Sequence, residues 1–184
     1  MNLVCVGISH NTAQHEMRER LWFSAAEIRA ALPRIRSLGF SECVLFSTSN
    51  RTELYAFGES GDPRTESLID FLRTEKNAKD TIPAAHFFSH VSSGAVEHLF
   101  RVASGIDSMI VGDVQVLAQV REGHALARES GSAAFIMNKV FQSAFHVGKR
   151  AGSESLISEG AISVSAAAGE LAQRIFDDLS NKKA

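Results

Sequence analysis

The chain has 184 residues, 45% hydrophobic and 22% charged, with 19 Lys and Arg against 21 Asp and Glu and a net charge of -2. That length suits one ordinary domain with at most an attached element, and the composition with only three prolines excludes a disordered or low-complexity chain. No apolar run approaches the roughly 20 residues of a membrane-spanning helix. The opening Met1-Asn2-Leu3-Val4-Cys5 lacks the basic-then-apolar build of a signal peptide. The near-neutral balance gives no whole-surface footprint for nucleic acid, although a local basic patch stays allowed. Cys5 and Cys43 both lie in apolar runs and are expected as buried free thiols of a cytoplasmic protein.

In chain order, a short β-rich run over 3–8 ends in the polar turn Ser9-His10-Asn11-Thr12, and 13–21 reads as a charged helix with Met17 and Leu21 four apart. Ser24 with Glu27 forms a capping box for a helix through Ile28, Leu32 and Ile35 that Gly39 closes, with Pro33 as a possible kink. The clearest strand is 42–46. A wholly polar stretch, Ser47 to Glu53, leads into a second strand over 54–57. A helix carrying Leu68, Ile69, Phe71 and Leu72 follows, then a strand over 86–91. From Ser92 the pattern is helical only. Ser92-Ser93 is expected to cap a helix with Val96, Leu99 and Phe100, and further helices are expected over 114–128, ended by Gly131, and over 133–150. Ala161, Val164, Ala168, Leu171 and Ile175 repeat at steps of three and four, the seam of a final long helix. The fold class is therefore α+β: a small antiparallel or mixed sheet with helices packed on one face, followed by an all-helical segment.

Thirteen glycines are scattered singly, no two of them separated by one residue, so no G-x-G-x-x-G or P-loop turn exists to cradle phosphates. C-x-x-C and H-E-x-x-H spacings are absent. His86 and His90 are four apart, but in a strand that spacing is not one helical face, and no metal is expected. Chemistry must then come from side chains or from a partner domain.

The stretch 47–53 concentrates hydroxyls, an amide, a guanidinium and a carboxylate without Gly or Pro. It reads either as a hydrogen-bonded turn or as a loop that aims side chains at a ligand. In the second reading Arg51 takes a carboxylate bidentately, Thr48 and Asn50 orient a carbonyl, and Ser49 is a nucleophile if a base lies nearby. The candidate base is His98, beside Ala95 and Val102 at the edge of an apolar helix face, where a core-rim histidine is the plain alternative.

Five blocks give the chain a resemblance: 7–13, 47–55, 98–108, 141–150 and 159–165. In this order they resemble the glutamyl-tRNA reductase family across essentially the whole chain. The resemblance implies NADPH-dependent reduction of glutamyl-tRNA(Glu) to glutamate-1-semialdehyde, the first step of tetrapyrrole (porphyrin, haem) biosynthesis by the five-carbon route. A cysteine thiolate attacks the aminoacyl ester, and hydride then reduces the thioester. Here the family's Ser-Thr-Cys-Asn-Arg-Thr-Glu stands as Ser47-Thr48-Ser49-Asn50-Arg51-Thr52-Glu53. Serine at the nucleophile position is a poor nucleophile and would give an ester resistant to hydride, so inactivity in reduction is expected. An exchange of one atom with every neighbour intact reads as an engineered change, with a natural non-catalytic variant as the alternative.

By the same resemblance, Thr48, Ser49, Asn50 and Arg51 contact the glutamyl moiety, and His98 is the family histidine important for activity. Ser108, Asp113, Val114, Gln115 and Gln119 match the substrate-binding stretch, although Asp113-Val114 stands where the family commonly has Glu-Pro. The domain division expected is 1–152, catalytic and glutamyl-tRNA-recognising, and 153–184, a connecting helix. That helix leads in the family to an NADPH domain and a dimerisation domain, so the chain is expected to be a truncated form whose cofactor site lies elsewhere. Implied partners are glutamyl-tRNA and glutamate-1-semialdehyde aminomutase. A homodimer is expected of the full-length enzyme, a monomer of this fragment, and no membrane association. The rival is a non-catalytic regulatory, tRNA-binding or partner-binding paralogue. A serine esterase using Ser49 and His98 lacks a Gly-x-Ser-x-Gly elbow and an evident orienting acid.

Overall fold

The computed structural model describes residues 2–58, 64–113 and 115–158, with helical positions 169, 171 and 173–175. Four strands, β1 (Leu3–Ser9), β2 (Glu42–Ser47), β3 (Arg51–Phe57) and β4 (Phe88–Val91), form one sheet in the order β2-β3-β1-β4. Every pairing is antiparallel. Among the described residues up to 158, six α-helices accompany them: α1 (His15–Arg20), α2 (Ala25–Ser37), α3 (Thr65–Glu75), α4 (Ser93–Ala103), α5 (Gln115–Glu129) and α6 (Phe135–Glu154). The α+β class expected from the sequence holds. Among the described residues no helix is long and apolar enough to cross a membrane.

One expectation is corrected. The helices do not keep to one face: β1 is buried at every position and β3 at all but its last, which alternating side chains allow only when both faces are covered. On one face Cys43 lies against the Leu32 carbonyl of α2. On the other, Phe46 and Tyr55 stack, and Tyr55 meets Phe141 of α6 edge to face at 5.4 Å. Glu42 on that same face accepts the N–H groups of Ala134, Ile136 and Met137, capping α6 from the sheet. Helix α5 runs along edge strand β2 so closely that a Cβ at Gly123 would overlap that of Phe46.

The Ser24–Glu27 capping box forms in full. Pro33 lies within α2, which continues to Ser37, and Gly39 follows at φ 91. Strand β4 starts at Phe88, with His86 in a preceding 3-10 turn. Ser92 does not cap α4 through its side chain: it makes the corner into the helix at φ 53, its N–H donating to the Leu3 carbonyl at 2.7 Å. Of the final apolar seam, Leu171 and Ile175 are helical and exposed, while 161, 164 and 168 lie outside the described residues. The proposed division at 152/153 falls within α6 and depends on a segment largely outside them.

Candidate functional site

The polar stretch between β2 and β3 is a turn built by its own hydroxyl. Thr48 Oγ1 accepts the backbone N–H of both Asn50 and Arg51 at 3.1 Å, and the Thr48 N–H donates to the Arg51 carbonyl at 2.7 Å. This places Ser49 exposed at the tip. The backbone on either side of the tip is held from outside. Arg18 donates through Nε to the Ser49 carbonyl at 3.2 Å, and the His10 N–H donates to the Asn50 carbonyl at 2.9 Å.

Strand alternation puts Arg51, Glu53 and Tyr55 on one face, where charge accumulates under cover. Arg51 is 2% exposed, with Nη1 at 2.6 Å from Glu53 Oε1 and 3.1 Å from Asp107 Oδ2, and Nη2 donating to the Asp107 carbonyl. Glu53, fully buried, also accepts from Tyr55 OH at 2.8 Å and lies 3.1 Å from His98 Nε2. Burial pushes the Glu53 carboxyl upward, but the neighbouring His98 and Arg51 charges and the hydrogen bonds of His98 and Tyr55 outweigh it and hold the group at about 2. An ionised carboxylate only accepts, so Nε2 of His98 carries the hydrogen of that bond. The orienting acid that the sequence did not reveal is therefore Glu53. The Arg51 guanidinium is bonded internally to two acidic residues, so a substrate carboxylate would have to displace Asp107 to reach it.

His98 faces a cavity of about 380 Å³ lined by Ser9, Asn11, Phe88, His90 and Asp107. Its ring stacks on His90 at 4.6 Å and lies 4.8 Å from Phe88. Phe88 crosses the sheet directly over Gly7, where a Cβ would come within 3.1 Å of its ring. Asn11 Nδ2 holds Asp107 Oδ1 at 3.2 Å, closing the rim. Burial, then the His98 charge, lowers the His90 pKa; burial, then Arg51, lowers that of His10. Both imidazoles are thereby biased towards the neutral form.

The other expected site residues are spread around this centre. Thr48 and Gln119 line a separate cavity of about 260 Å³ between α2 and α5, with Trp22 and Phe46. Asp113 accepts the Gln115 N–H at 2.9 Å and so caps the start of α5, away from the His98 cavity. Ser108 Oγ is enclosed without a hydrogen-bond partner among the described residues. Val114 lies outside the described residues. Sequence reasoning gave no role to Arg18, His10, Asn11, Glu53, His90 or Asp107. For Glu53 the signal was present, since Arg51-x-Glu53-x-Tyr55 alternates onto one face.

Neither cysteine is placed as a reactive thiol. Burial and then the Glu53 charge push the Cys5 thiol well up, and burial pushes Cys43 up to about 12. Cys5, Glu53 and His98 bring ligand atoms within 4.8 Å of one another, but both Glu53 oxygens are already engaged and the thiol stays protonated, which does not suit a metal.

The family model described as "Glutamyl-tRNAGlu reductase, N-terminal domain" matches residues 6–155. Glutamyl-tRNA reductase of Chlorobaculum parvum is 39% identical over 184 residues, covering 100% of this chain and 43% of that protein. That of Saccharophagus degradans is 42% identical over 180 residues, covering 97% of this chain and 42% of that protein. The solved structure of the glutamyl-tRNA reductase from Methanopyrus kandleri superposes with a TM-score of 0.76 at 40% identity, covering 94% of this chain and 40% of the other. The chain thus spans about two fifths of the length of these relatives. Matched over most of its length by the family model, the chain belongs to the glutamyl-tRNA reductase family and corresponds to its N-terminal domain.

Proposed function

We propose that this chain is the part of a glutamyl-tRNA reductase that receives the glutamyl end of glutamyl-tRNA, with serine at the position from which the family's cysteine attacks. The whole enzyme's reaction would be NADPH-dependent reduction of the activated α-carboxyl to glutamate-1-semialdehyde, entering tetrapyrrole synthesis. The observation that carries the reading is the Glu53–His98 pair, with Glu53 near the start of the strand that leaves an exposed, externally braced turn at Ser49. Glu53 accepts from Nε2 of His98 and so fixes the orientation of the ring; in the neutral imidazole this leaves Nδ1 as the acceptor, the arrangement of an oriented base.

NADPH does not fit the described residues. The His98 cavity presents the carboxylates of Glu97 and Asp107 against the single cation of Arg101, the wrong balance for a pyrophosphate, and the sequence has no paired glycines. Hydride delivery is assigned to no residue of this chain. Ser49, exposed and without a hydrogen-bonded base among the described residues, does not become an alkoxide at neutral pH.

The test is Ser49→Cys with glutamyl-tRNA carrying labelled glutamate. The introduced thiolate attacks the ester carbonyl, the tRNA 3′ oxygen leaves and takes a proton, and water then hydrolyses the thioester to free glutamate. Release above the unchanged chain, lowered at least tenfold by adding His98→Ala, supports the reading. Absence of release from a folded variant that still binds glutamyl-tRNA favours a non-catalytic, tRNA-binding paralogue.

A further inference from the structure

We infer that Arg18 is a positioning residue for position 49, holding its backbone and supplying the positive charge that would activate a thiol there. Arg18 is 8% exposed although it sits on a six-residue helix, α1, at the molecular surface. Its side chain turns inward and bonds two backbone carbonyls: Nη1 to Ala13 at 2.7 Å and Nε to Ser49 at 3.2 Å. The first bond ties the guanidinium to the turn that leaves β1. The second reaches 31 positions along the chain to the tip of the β2–β3 turn. A buried arginine with no carboxylate partner among these bonds is costly, because desolvation of its charge is met only by carbonyl dipoles. Fixing a surface turn alone would not call for a full charge, since an uncharged donor could bond the same carbonyl.

A charge has a use here if position 49 is to carry an anion. A side-chain atom at position 49 lies within a few ångströms of its own carbonyl oxygen, so the guanidinium stands roughly 6–7 Å from a sulfur at that position. At that range and near the surface, a cation lowers a thiol pKa by about one unit. Among the described residues, the other charged or titratable groups near the turn include His10 after the end of β1, Arg51 at the start of β3, Asp107 from the segment after α4, and Glu122 of α5, which lines a cavity with Ser47 and Thr48 and whose negative charge would oppose an anion at position 49. Arg51 is neutralised by Glu53 and Asp107. His10 is biased towards neutral by burial and by Arg51. Arg18 is left as the cation bonded to residue 49 itself. It acts through position and field and need not touch the substrate.

This inference rests on the proposed function, and its test separates the two. In the Ser49→Cys background, the introduced thiol is titrated by its rate of iodoacetamide alkylation against pH, the unchanged chain with its two buried thiols serving as blank. The variants Arg18→Met and Arg18→Lys are compared, with circular dichroism and thermal unfolding as checks on folding. Arg18→Met is expected to raise the alkylation pKa by about one unit and to cut glutamate release from glutamyl-tRNA at least tenfold with KM nearly unchanged. Arg18→Lys is expected to restore the alkylation pKa, because it keeps the charge, but not the release rate, because it lacks the two-pronged carbonyl fork. An alkylation profile unmoved by Arg18→Met in a folded protein overturns the electrostatic role, and an unmoved release rate overturns the positioning role. Should Ser49→Cys release no glutamate at all, the proposed function fails, while the alkylation profiles still decide the role of Arg18.

Discussion

Replacing Glu53 by glutamine tests the buried charge cluster that underlies the site. The change keeps the shape of the side chain and removes its charge. Arg51 then keeps only Asp107 as a counter-charge among the described residues, and a single amide oxygen is left to accept where Arg51, His98 and Tyr55 now share two carboxylate oxygens. Because Glu53 is fully buried, the ion pair is not screened, and breaking one side of such a pair costs about 3–5 kcal/mol. The pH dependence gives an independent magnitude. The folded carboxyl sits at about 2 against an ordinary value of 4.5, so its contribution is fully present above the unfolded pKa and disappears as pH falls through the folded one. A depression of that size corresponds to about 3 kcal/mol at neutral pH, of which about 2 kcal/mol is lost between pH 5 and pH 3. Urea unfolding of both proteins at pH 7, 5 and 3 measures it. The glutamine variant is expected to be less stable at pH 7 and to show a shallower acid loss, by about 2 kcal/mol over that interval. Equal stability at pH 7 together with parallel acid profiles would mean that the buried Glu53 charge contributes nothing to the fold.

Three further outcomes follow from the same geometry. Glu42→Ala removes the acceptor of three N–H groups at the start of α6 and is expected to lower unfolding free energy by about 1–2 kcal/mol, read by thermal or urea unfolding. Gly123→Ala drives a methyl group into Phe46 Cβ and the β2 backbone, and a loss of about 1–3 kcal/mol is expected by the same assay; no change would mean that α5 can retreat from β2. Ser49→Ala, by contrast, touches an exposed side chain with no hydrogen bond among the described residues, and unfolding should stay within about 0.5 kcal/mol of the unchanged chain.

Local chemistry was the legible part of the sequence. The Ser24–Glu27 box, the glycine after α2 and the two strands flanking the polar stretch each depend on residues a few positions apart, and each formed. Covering of both sheet faces was also written locally, in the unbroken apolar runs Leu3-Val4-Cys5-Val6 and Cys43-Val44-Leu45-Phe46, which a half-exposed strand would interrupt with polar residues. The commitments of Arg51 were not legible, because Asp107 lies 56 positions away and meets it only through the closed loop after α4. That loop turns on Gly105 and Gly112, both at positive φ, and a Cβ on Gly105 would press within 3.1 Å of Gly112. Family resemblance pointed to the polar turn and to His98, but not to the carboxylate between Arg51 and His98. Ser92 misled for the opposite reason: its hydroxyl suits a cap, yet the corner from β4 needs a backbone conformation in which the side chain makes no capping bond.

Under the proposed function, the glutamyl end of glutamyl-tRNA is received at the turn bearing residue 49. The most direct measurement of this is mass spectrometry of the Ser49→Cys protein quenched in acid after single-turnover mixing with glutamyl-tRNA. A glutamyl adduct confined to the peptide containing position 49, and absent when the tRNA is uncharged, is expected. A folded variant that carries no adduct there, or carries it on Cys5 or Cys43, would contradict it.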